Sequence, residues 1–458
     1  MKICFVSNFH KTFLFDKIAQ GLESQEIEIF WICFSSKAFN YLSSIYDKKK
    51  ILLLNKNLSK ETNVPIGDYK INELVNGDRS LRHQLIWGFD YLVNIQKPFY
   101  DFVKNNEIKF VFGETTYAHE VLMSRILKDK KELKSHYLHP QSVRIPDGRF
   151  FFLEDEFQNK IFKSDKIVNE SWENEYEIIK VKPPKRVKQV DKEVQHVTSF
   201  KGKVERLKRF FSQKNIEKDH PSLVTNRYSR TRIALQEEAN RLLYSLVHTH
   251  SIDHLNDKKF VIYTLHMQPE ASVDVVGAYY DNQLQNIINI WRILPEDWFL
   301  VIKEHSNAIG NRGLSFFRTV RKLRNAVIIK ETASSHKLID LCQLVFTVSG
   351  TIAYEAALKG KMAFTFGDIF FNKLKGCHKI SLDHFRNFSN IKELTRWAEE
   401  QNEKKLGVAD FSKFLFRNSY KGIVDAPVGS EDWLEESNSK QLIKSFNVFL
   451  TSHNDCKR

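Results

Sequence analysis

The stretch that decides the fold is Leu344-Val345-Phe346-Thr347-Val348-Ser349-Gly350-Thr351, which continues as Ile352-Ala353-Tyr354-Glu355-Ala356-Ala357-Leu358. An apolar, β-rich run ends in a small hydroxylated turn, and a helix-forming sequence follows at once. This pattern indicates a buried strand that leads directly into a helix. The first N–H groups of such a helix lack partners and carry partial positive charge, so Ser349, Gly350 and Thr351 predict a phosphate site. Ordinary capping of the helix by Ser349 or Thr351 is the alternative.

Alternation of short strands with longer helices occurs twice, over residues 1–140 and again after about residue 258. It predicts an α/β fold with two Rossmann-like domains, each on a parallel sheet. Ligands of such sheets bind beyond the carboxyl ends of the strands, so we expect an active site in a cleft between the domains. The predicted strands are Lys2–Ser7, Glu28–Phe34, Lys109–Phe112, Lys259–Leu265, Trp298–Lys303, Ala326–Ile329, Leu344–Val348 and Met362–Phe366. The predicted helices are Thr12–Leu22, Gln84–Asn105, Ala118–Lys130, Gln283–Ile293, Ser315–Leu323, His336–Cys342 and Ile352–Lys359.

The charge of the chain is concentrated in one segment. The 458 residues carry a net charge of +14, with a pI near 9.3. Twelve Lys and Arg against three acidic residues give Lys180–Lys214 a net charge of +9. Val204, Leu207, Phe210 and Phe211 lie at helical spacing among these cations. They indicate either a basic amphipathic helix on an anionic membrane or a solvated linker helix.

These patterns divide the chain into four segments. We expect Rossmann-like domains over 1–155 and 258–425, a basic helical insertion over 156–257 and a C-terminal helix over 426–458. Five cysteines without a Cys-x-x-Cys pair argue against a disulfide framework or a zinc site and fit a reducing cytoplasm. The sequence shows neither a signal peptide nor an apolar run long enough to span a membrane.

Polar residues also follow two other strand ends in the second half. Glu304 and His305 come after Trp298–Lys303, and His266, Gln268 and Glu270 come after Lys259–Leu265. A His at the carboxyl end of a parallel strand faces the ligand, so His305 is a candidate to bind a phosphate and assist a leaving group. Three such strand ends together predict a binding site.

In the first half, Glu114 follows the strand Lys109–Phe112 and is a candidate catalytic carboxylate. Helix capping by Glu114 or Thr115 is the alternative. Downstream, residues 139–149 are expected to form a polar loop in which Asp147 is a second, weaker catalytic candidate, because Pro146-Asp147-Gly148 is also a good turn sequence. No P-loop, dinucleotide-binding glycine motif, zinc-protease motif or Asp-x-Asp turn is present, so we expect no metal.

The chain resembles the bacterial capsule polysaccharide biosynthesis family, which includes the retaining Kdo transferases. The resemblance extends over about 258–370 and is weaker over 109–150. The residues that carry it are Leu265–Ser272, Lys303-Glu304-His305, Leu314–Arg318, Thr347–Ala356, Phe366-Gly367, Gly113-Glu114 and Arg144–Asp147. One departure is Ser306, where many CMP-sugar transferases have Pro after the His.

The resemblance implies a GT-B glycosyltransferase that moves a 3-deoxy-ulosonic acid from a CMP-activated donor to a capsule or other surface glycan. Kdo is the usual sugar, with pseudaminic or legionaminic acid as relatives. The donor is a substrate, and no cofactor is implied. By position, His305, Ser349, Gly350 and Thr351 would hold the phosphate, Glu355 would lie near the ribose and Gln268 and Glu270 near the sugar, and Glu114 would be the catalytic carboxylate. His266 and Lys303 complete the expected donor site, and Lys303 or Arg144 could pair with the carboxylate of the sugar.

Two other functions compete with this one. A CDP-polyol phosphotransferase of the teichoic-acid type also has a His after one strand and a Ser-rich turn before a helix, but it normally has Asp-rich turns there. A non-enzymatic protein that binds nucleic acid or a membrane is suggested by the pI alone and lacks a recognition motif. We therefore expect a cytoplasmic enzyme at the anionic face of the inner membrane, with a lipid-linked glycan as acceptor and no nucleic-acid partner.

Overall fold

The computed structural model describes residues 1–23, 27–58, 65–162, 178–181, 199, 201–202, 204–205, 208, 217–223, 227–425 and 432–454. The strands are β1 (Lys2–Ser7), β2 (Glu28–Cys33), β3 (Ile51–Leu53), β4 (Phe110–Phe112), β5 (His136–Ser142), β6 (Arg149–Leu153), β7 (Lys259–Thr264), β8 (Trp298–Lys303), β9 (Ala326–Ile329), β10 (Leu344–Thr347), β11 (Met362–Thr365), β12 (Cys377–Lys379) and β13 (Tyr420–Lys421). The α-helices are α1 (Lys11–Glu23), α2 (Ser36–Ser43), α3 (Ile71–Gly77), α4 (Leu85–Asn105), α5 (Ala118–Asp129), α6 (Arg227–Tyr244), α7 (Ala271–Asp274), α8 (Gln283–Arg292), α9 (Leu314–Lys322), α10 (Ser335–Leu341), α11 (Thr351–Leu358), α12 (Leu382–Asn387), α13 (Ile391–Gln401), α14 (Val408–Asn418) and α15 (Glu436–Asn454).

The chain forms two compact units. Unit 1 comprises 1–178, 217–225 and 412–458, and unit 2 comprises 179–216 and 226–411. Each unit contains one sheet, and helices alternate with its strands along the chain. Most strands of each sheet are parallel. The α/β class with two Rossmann-like domains is therefore confirmed.

The sheet of unit 1 has the strand order β13-β6-β5-β4-β1-β2-β3. The strands from β5 to β3 are parallel, and β6 and β13 add antiparallel pairs at one edge. The chain leaves β1 towards β2 and returns on the other side at β4. The carboxyl ends of β1 and β4 therefore flank the point where the strand order reverses, the usual ligand position in such sheets.

The sheet of unit 2 is parallel throughout, in the order β12-β11-β10-β7-β8-β9. The strand order reverses between β7 and β10. Both strands are buried along almost their whole length, which explains their continuous apolar sequences. Their carboxyl ends bring the segments after Thr264 and Thr347 side by side.

The strands and helices predicted for the two Rossmann-like domains are present, and each bound lies within one residue of its predicted position. The expected polar loop at 139–142 is wrong, because His139, Pro140 and Gln141 belong to β5 and pair with β6. Pairing of β5 with β4 ends at Leu138, so Pro140 lies where the strand has a neighbour on one side alone, a position that tolerates the missing N–H.

The C-terminal segment belongs to unit 1, and unit 2 ends at Phe411 instead of the expected residue 425. α15 buries Leu442, Phe446 and Phe449 in the core of unit 1, where Phe446 contacts Phe112 at 5.1 Å between ring centroids. β13 pairs with β6 and so covers an edge of the sheet. Apolar burial and edge pairing together place the end of the chain in unit 1.

The basic segment Lys180–Lys214 lies largely outside the described residues, including Leu207, Phe210 and Phe211 of the expected amphipathic helix. The described part of the segment expected as an insertion, 156–257, includes α6, which belongs to unit 2. Asn240 of this helix donates a hydrogen bond to the carbonyl of Gly310, and Arg241 donates one to the carbonyl of Ile309. Among the helices described, none combines the length and the apolar character needed to cross a membrane.

Candidate functional site

Three adjacent strands of unit 2, β10, β7 and β8, end in the polar residues that the sequence analysis singled out. Gly350 follows β10, His266 follows β7 and His305 follows β8. The parallel sheet brings these three strand ends to one edge, and a Cβ atom at Gly350 would lie 3.2 Å from Cε1 of the His266 ring. We call this edge the unit 2 site.

Gly350 is the N-cap residue of α11, and no side chain caps this helix. Capping by Ser349 or Thr351, the alternative weighed from the sequence, is therefore wrong. The Ser349 hydroxyl instead donates to the carbonyl of Ser272 at 2.5 Å, and Thr351 is the first helical residue. The N–H groups of Thr351 and Ile352 have no carbonyl in a preceding turn, so they can donate to an anion.

Space at Gly350 is limited by two neighbours. A Cβ atom there would lie 2.7 Å from Oγ1 of Thr347 and 3.2 Å from Cε1 of His266. The backbone conformation, φ −71° and ψ 144°, is open to any residue. Glycine is therefore required by packing at this position and not by its conformational freedom.

His266 is buried, and both its ring and its backbone N–H are hydrogen-bonded. Its Nε2 lies 2.8 Å from Oγ1 of Thr347, and its backbone N–H donates to the side chain of Gln283 at 2.8 Å. Burial, followed by the charges of His305 and Arg312, lowers the pKa of His266 to about 3. At neutral pH the ring is therefore an uncharged hydrogen-bonding group that positions Thr347 and Gly350.

His305 is more exposed than His266 and caps the short 3-10 helix Ser306–Ala308. Its Nδ1 accepts a hydrogen bond from the backbone N–H of Asn307 at 3.2 Å, so neutral His305 carries its proton on Nε2. Partial burial, then the charges of Lys303 and Arg312, lower its pKa from 6.5. The ring can donate from Nε2 to an anionic oxygen in either protonation state.

Arg312 is a site residue that sequence reasoning missed. Its Nη1 lies 2.7 Å from the carboxylate of Glu304, which is 1% exposed, and its Nη2 donates to the carbonyl of His266. The same Glu304 oxygen accepts from the N–H of His305 at 2.8 Å. This buried pair ties the ends of β7 and β8 together. Burial raises the pKa of Glu304 despite the pairing.

Lys303 is buried, and its ammonium donates to the carbonyl of Glu331 at 3.0 Å. Burial lowers its pKa, against the opposing charges of Glu331 and Glu304. The ammonium of Lys303 is therefore bound to Glu331, in the segment that follows β9. Pairing with a substrate carboxylate, expected from the sequence, would require it to leave this contact.

Gln268 and Glu270 lie on the loop between β7 and α7, and three further residues hold that loop in place. Nε2 of Gln283 donates to Oε1 of Gln268 at 2.6 Å, and Asp274 accepts from the side chain of Gln268 and the N–H of Glu270. Asn311 donates to the carbonyl of Gln268 at 2.9 Å. The loop is thus held by side chains, and Glu270 stands as the N-cap residue of α7.

Glu355 lies one turn into α11, mostly buried, with Oε2 3.7 Å from Nε2 of His336 on α10. Burial raises its pKa to about 7, although the charge of Lys359 opposes the shift. The pKa of His336 is lowered by burial and by Lys359. Near neutral pH, Glu355 can therefore exist in either protonation state, and a hydroxyl-bearing ligand could tip the balance.

The corresponding edge of unit 1 contains Glu114, directly after β4. Its carboxylate is half-buried and lies 3.0 Å from the ammonium of Lys11, which also contacts Asp425 at 3.2 Å. Burial alone would lower the pKa of Lys11, but the two carboxylates outweigh it and the pKa is raised. Arg144 lies 3.8 Å from the far oxygen of Asp425. The ammonium of Lys11 thus holds the carboxylate of Glu114 in place. We call the cluster of Glu114, Lys11, Asp425 and Arg144 the unit 1 site.

Glu114 and Thr115 do not cap α5, so that alternative is also wrong. The N-cap residue is Tyr117, and the first N–H of the helix, on Ala118, donates to Oδ2 of Asp78 at 3.0 Å. Oγ1 of Thr115 lies 2.9 Å from Nδ1 of His139. Burial lowers the pKa of His139 to about 4.

Asp147 is exposed, in the turn that the sequence predicted around Gly148. Gly148 has a φ of +76°. A turn role therefore accounts for this segment, and its catalytic role stays a prediction.

The sequence-predicted residues are divided between the units: Glu114, Arg144 and Asp147 lie in unit 1, and the others lie in unit 2. Within unit 2 the structure brings His266, His305 and Gly350 to one edge. Among the described side chains, no group of three His, Cys, Asp or Glu residues is arranged to hold a metal ion.

Lys11, Arg312 and Asp425 had no clear signal in the sequence. Lys11 follows β1 by four residues, which is a strand-end position of the same kind as Glu114 and could have been noticed. Arg312 lies in a loop nine residues after β8, and Asp425 follows β13, a strand of two residues that is too short to show a pattern in the sequence.

No protein-family profile matches the chain. No curated protein matches it either. Solved structures do match. The β-Kdo 2,7 transferase KpsC of Thermosulfurimonas dismutans is 10% identical at a TM-score of 0.38, with 98% of this chain and 100% of that chain covered.

The β-Kdo 2,4 transferase KpsC of the same organism is 10% identical at a TM-score of 0.31, covering 68% of this chain and 79% of that one. A UDP-N-acetylglucosamine 2-epimerase, so named as putative, from Listeria monocytogenes is 9% identical at a TM-score of 0.29, covering 100% and 97%. These TM-scores all lie below 0.5, and the chain is similar to these proteins at that level.

Proposed function

We propose that the chain is a glycosyltransferase that moves a 3-deoxy-ulosonic acid, such as Kdo, from its CMP-activated form to a surface glycan. The observation that carries the proposal is the uncapped N-terminus of α11, packed against His266 at the point where the strand order of unit 2 reverses. The sequence resemblance supplies the identity of the donor, and the geometry supplies a reason why a nucleoside monophosphate would fit.

A single phosphate suits the unit 2 site. The N–H groups of Thr351 and Ile352 offer one anion position at the positive end of the helix dipole. Nε2 of His305 is a further donor, and protonated or neutral it would stabilise the CMP phosphate as the glycosidic bond breaks. Because the Ser349 proton is bonded to Ser272, we assign the phosphate to the backbone groups and His305.

Glu355 is the residue we assign to the ribose. It lies one turn beyond the phosphate position on the same helix, and a carboxylate accepts hydrogen bonds from two neighbouring hydroxyls. The pKa of Glu355 lies near 7, so hydrogen bonds donated by the ribose hydroxyls would shift its carboxyl towards the ionised form. The loop that carries Gln268 and Glu270 would border the sugar, held rigid by Gln283 and Asp274.

Glu114 is the residue we assign to the reaction in unit 1. Either it accepts the proton of the acceptor hydroxyl as that oxygen attacks the anomeric carbon, or it attacks that carbon itself and CMP leaves. In both cases the CMP phosphate takes the electron pair of the broken bond. The ammonium of Lys11 holds the carboxylate in place and favours its ionised form, which both roles require.

The donor is tested by a thermal-shift screen with CMP, CDP, UDP and GDP. A nucleotide that binds the folded state alone raises its apparent stability. We expect the largest shift with CMP. If UDP shifts the transition and CMP does not, the donor assignment is wrong, and release of CMP from CDP-glycerol would favour the polyol phosphotransferase.

The role of Glu114 is tested with the variant Glu114→Gln. We expect transfer to fall by at least about a hundredfold, as for loss of a general base, while the CMP-induced thermal shift persists. Glu107→Gln is the control, because Glu107 is an exposed carboxylate of the same unit, 82% exposed in its side chain. Normal turnover by Glu114→Gln would refute its role.

A further inference from the structure

The first two turns of α4 carry an apolar surface that the described part of the chain leaves exposed. Leu85 is 57% exposed, Ile86 83% and Phe89 40%. Further along the same helix, Leu92, Ile95 and Phe99 are buried, as expected for the core-facing side of an amphipathic helix. Leu85, Ile86 and Phe89 therefore form a separate apolar ridge, which burial in this fold does not explain.

Aromatic and cationic groups border this apolar ridge. Trp87, half-exposed, stacks on Tyr91 at 5.1 Å, and the ammonium of Lys56 lies 5.4 Å from the centroid of the Trp87 ring. Arg79 is exposed nearby in sequence. The acidic residue exposed on these two turns is Asp90. A Trp and several cations around exposed aliphatic side chains are the composition of segments that lie in a membrane interface.

The dipole of the helix adds to the positive potential at the apolar ridge. α4 is 21 residues long, and its N-cap residue, Gln84, provides no side-chain cap. Arg82 stands one turn before the helix, with its Nε bonded to the carbonyl of Asp78. The end of the helix that carries the apolar ridge is therefore its positive end, where anionic groups bind favourably.

The segment just before the apolar ridge contacts the region that follows β4. Oδ2 of Asp78, just before the ridge in the chain, accepts the N–H of Ala118 at 3.0 Å. The guanidinium of Arg79 lies 5.3 Å from the ring of Tyr117. Both contacts join the segment between α3 and α4 to the end of the loop between β4 and α5, the loop that also contains Glu114.

We propose that the apolar ridge of α4 docks unit 1 on an anionic phospholipid surface. Leu85, Ile86 and Phe89 enter the boundary between headgroups and acyl chains, and the exposed Arg79, with Arg82 beside it in sequence, faces the lipid phosphates. Apolar burial supplies the affinity and the cations select anionic lipid. The docking does not depend on the transfer reaction. Its consequence, that the membrane would present a lipid-linked acceptor beside Glu114, rests on the proposed function.

The test uses the full chain and vesicles of phosphatidylglycerol mixed with phosphatidylcholine, without nucleotide or sugar. We expect wild-type protein to sediment with these vesicles and bind phosphatidylcholine alone more weakly. The double variant Ile86→Asp with Phe89→Asp should lose about tenfold or more in vesicle affinity, because two charges would enter the interface. Both residues are exposed in the folded protein, so the variant is expected to fold.

A matched control places the same charge elsewhere. Leu341→Asp with Val448→Asp alters two residues that are 47% and 41% exposed on other helices, and it should bind vesicles like wild type. Brominated lipid should quench wild-type fluorescence more than that of Trp87→Phe, since Trp87 borders the ridge.

Three results would overturn the proposal: wild type that does not bind anionic vesicles, a ridge variant that binds as well as wild type, or a control that loses binding equally. A fourth outcome is tested by light scattering without vesicles, which measures whether the ridge instead binds a second copy of this chain. If wild type is a dimer and the ridge variant is a monomer, the ridge is an interface between two copies of this chain and the proposal fails. None of these readouts involves CMP or Glu114, so failure here leaves the proposed transferase function intact.

Discussion

Replacement of Gly350 by Ala tests the close packing at the unit 2 site. The added methyl would lie 2.7 Å from Oγ1 of Thr347, closer than side-chain carbons normally approach. Oγ1 of Thr347 lies 2.8 Å from Nε2 of His266 and also accepts the N–H of Gly350 at 3.3 Å. The methyl therefore has to displace a hydroxyl that serves two buried partners, and the backbone itself is not strained.

The expected loss of stability follows from these contacts. Overpacking costs about 1–3 kcal/mol, and a weakened buried hydrogen bond adds about 1 kcal/mol. We expect the free energy of unfolding of unit 2 to fall by about 2–4 kcal/mol. In a domain of this size, each kcal/mol lowers the Tm by roughly 2–4 °C. The same methyl narrows the approach to the first N–H groups of α11, so the CMP-induced thermal shift should also fall.

The assay is calorimetry of wild type, Gly350→Ala and Gly407→Ala, with and without CMP. Gly407 is the matched control, because it directly precedes α14 and a Cβ atom there would meet nothing within 4 Å. Any effect of Ala on helix capping is thus common to both variants. If Gly350→Ala is no less stable than Gly407→Ala and retains its response to CMP, the packing argument for this site is refuted.

Two other predictions concern buried charges. Arg312→Met should cost about 3–5 kcal/mol in urea unfolding, because it leaves Glu304 buried without its cation, and adding Glu304→Gln should restore part of the loss; equal stability of single and double variants would contradict this. Burial raises the pKa of Glu355 from 4.5 to about 7, so the folded state keeps a proton that the unfolded state has lost between those pH values. Stability should therefore fall by up to about 1.4 kcal/mol per pH unit as pH rises through this window, a slope that Glu355→Gln should reduce.

Local sequence patterns were sufficient for most of the framework. β7, β8 and α11 appear within about one residue of their predicted bounds, since each is a long apolar run or a strong helical pattern with a clear end. The strands β3, β12 and β13 have two or three residues each, too few to show a period. β5 contains His139 and Pro140, which look like a loop by composition, and its pairing with β6 decides otherwise.

The same difference applies to the candidate sites. His266, His305, Gly350 and Glu114 could be named from the sequence, because a polar residue just after a buried strand must lie at the carboxyl edge of a parallel sheet. What those residues do there was not determined by the sequence. The hydroxyl of Ser349, expected at the phosphate, is bonded to Ser272.

Hydrophobic periodicity and turn residues are local properties of the chain, so the sequence was enough to predict two α/β halves and the strand ends that carry polar side chains. The tertiary structure alone decided the partners: Lys11 beside Glu114, Arg312 beside Glu304, and α15 in the core of unit 1. Those contacts join residues that are distant in sequence. Burial and electrostatic pairing across such distances depend on how the elements pack, and no local pattern records that.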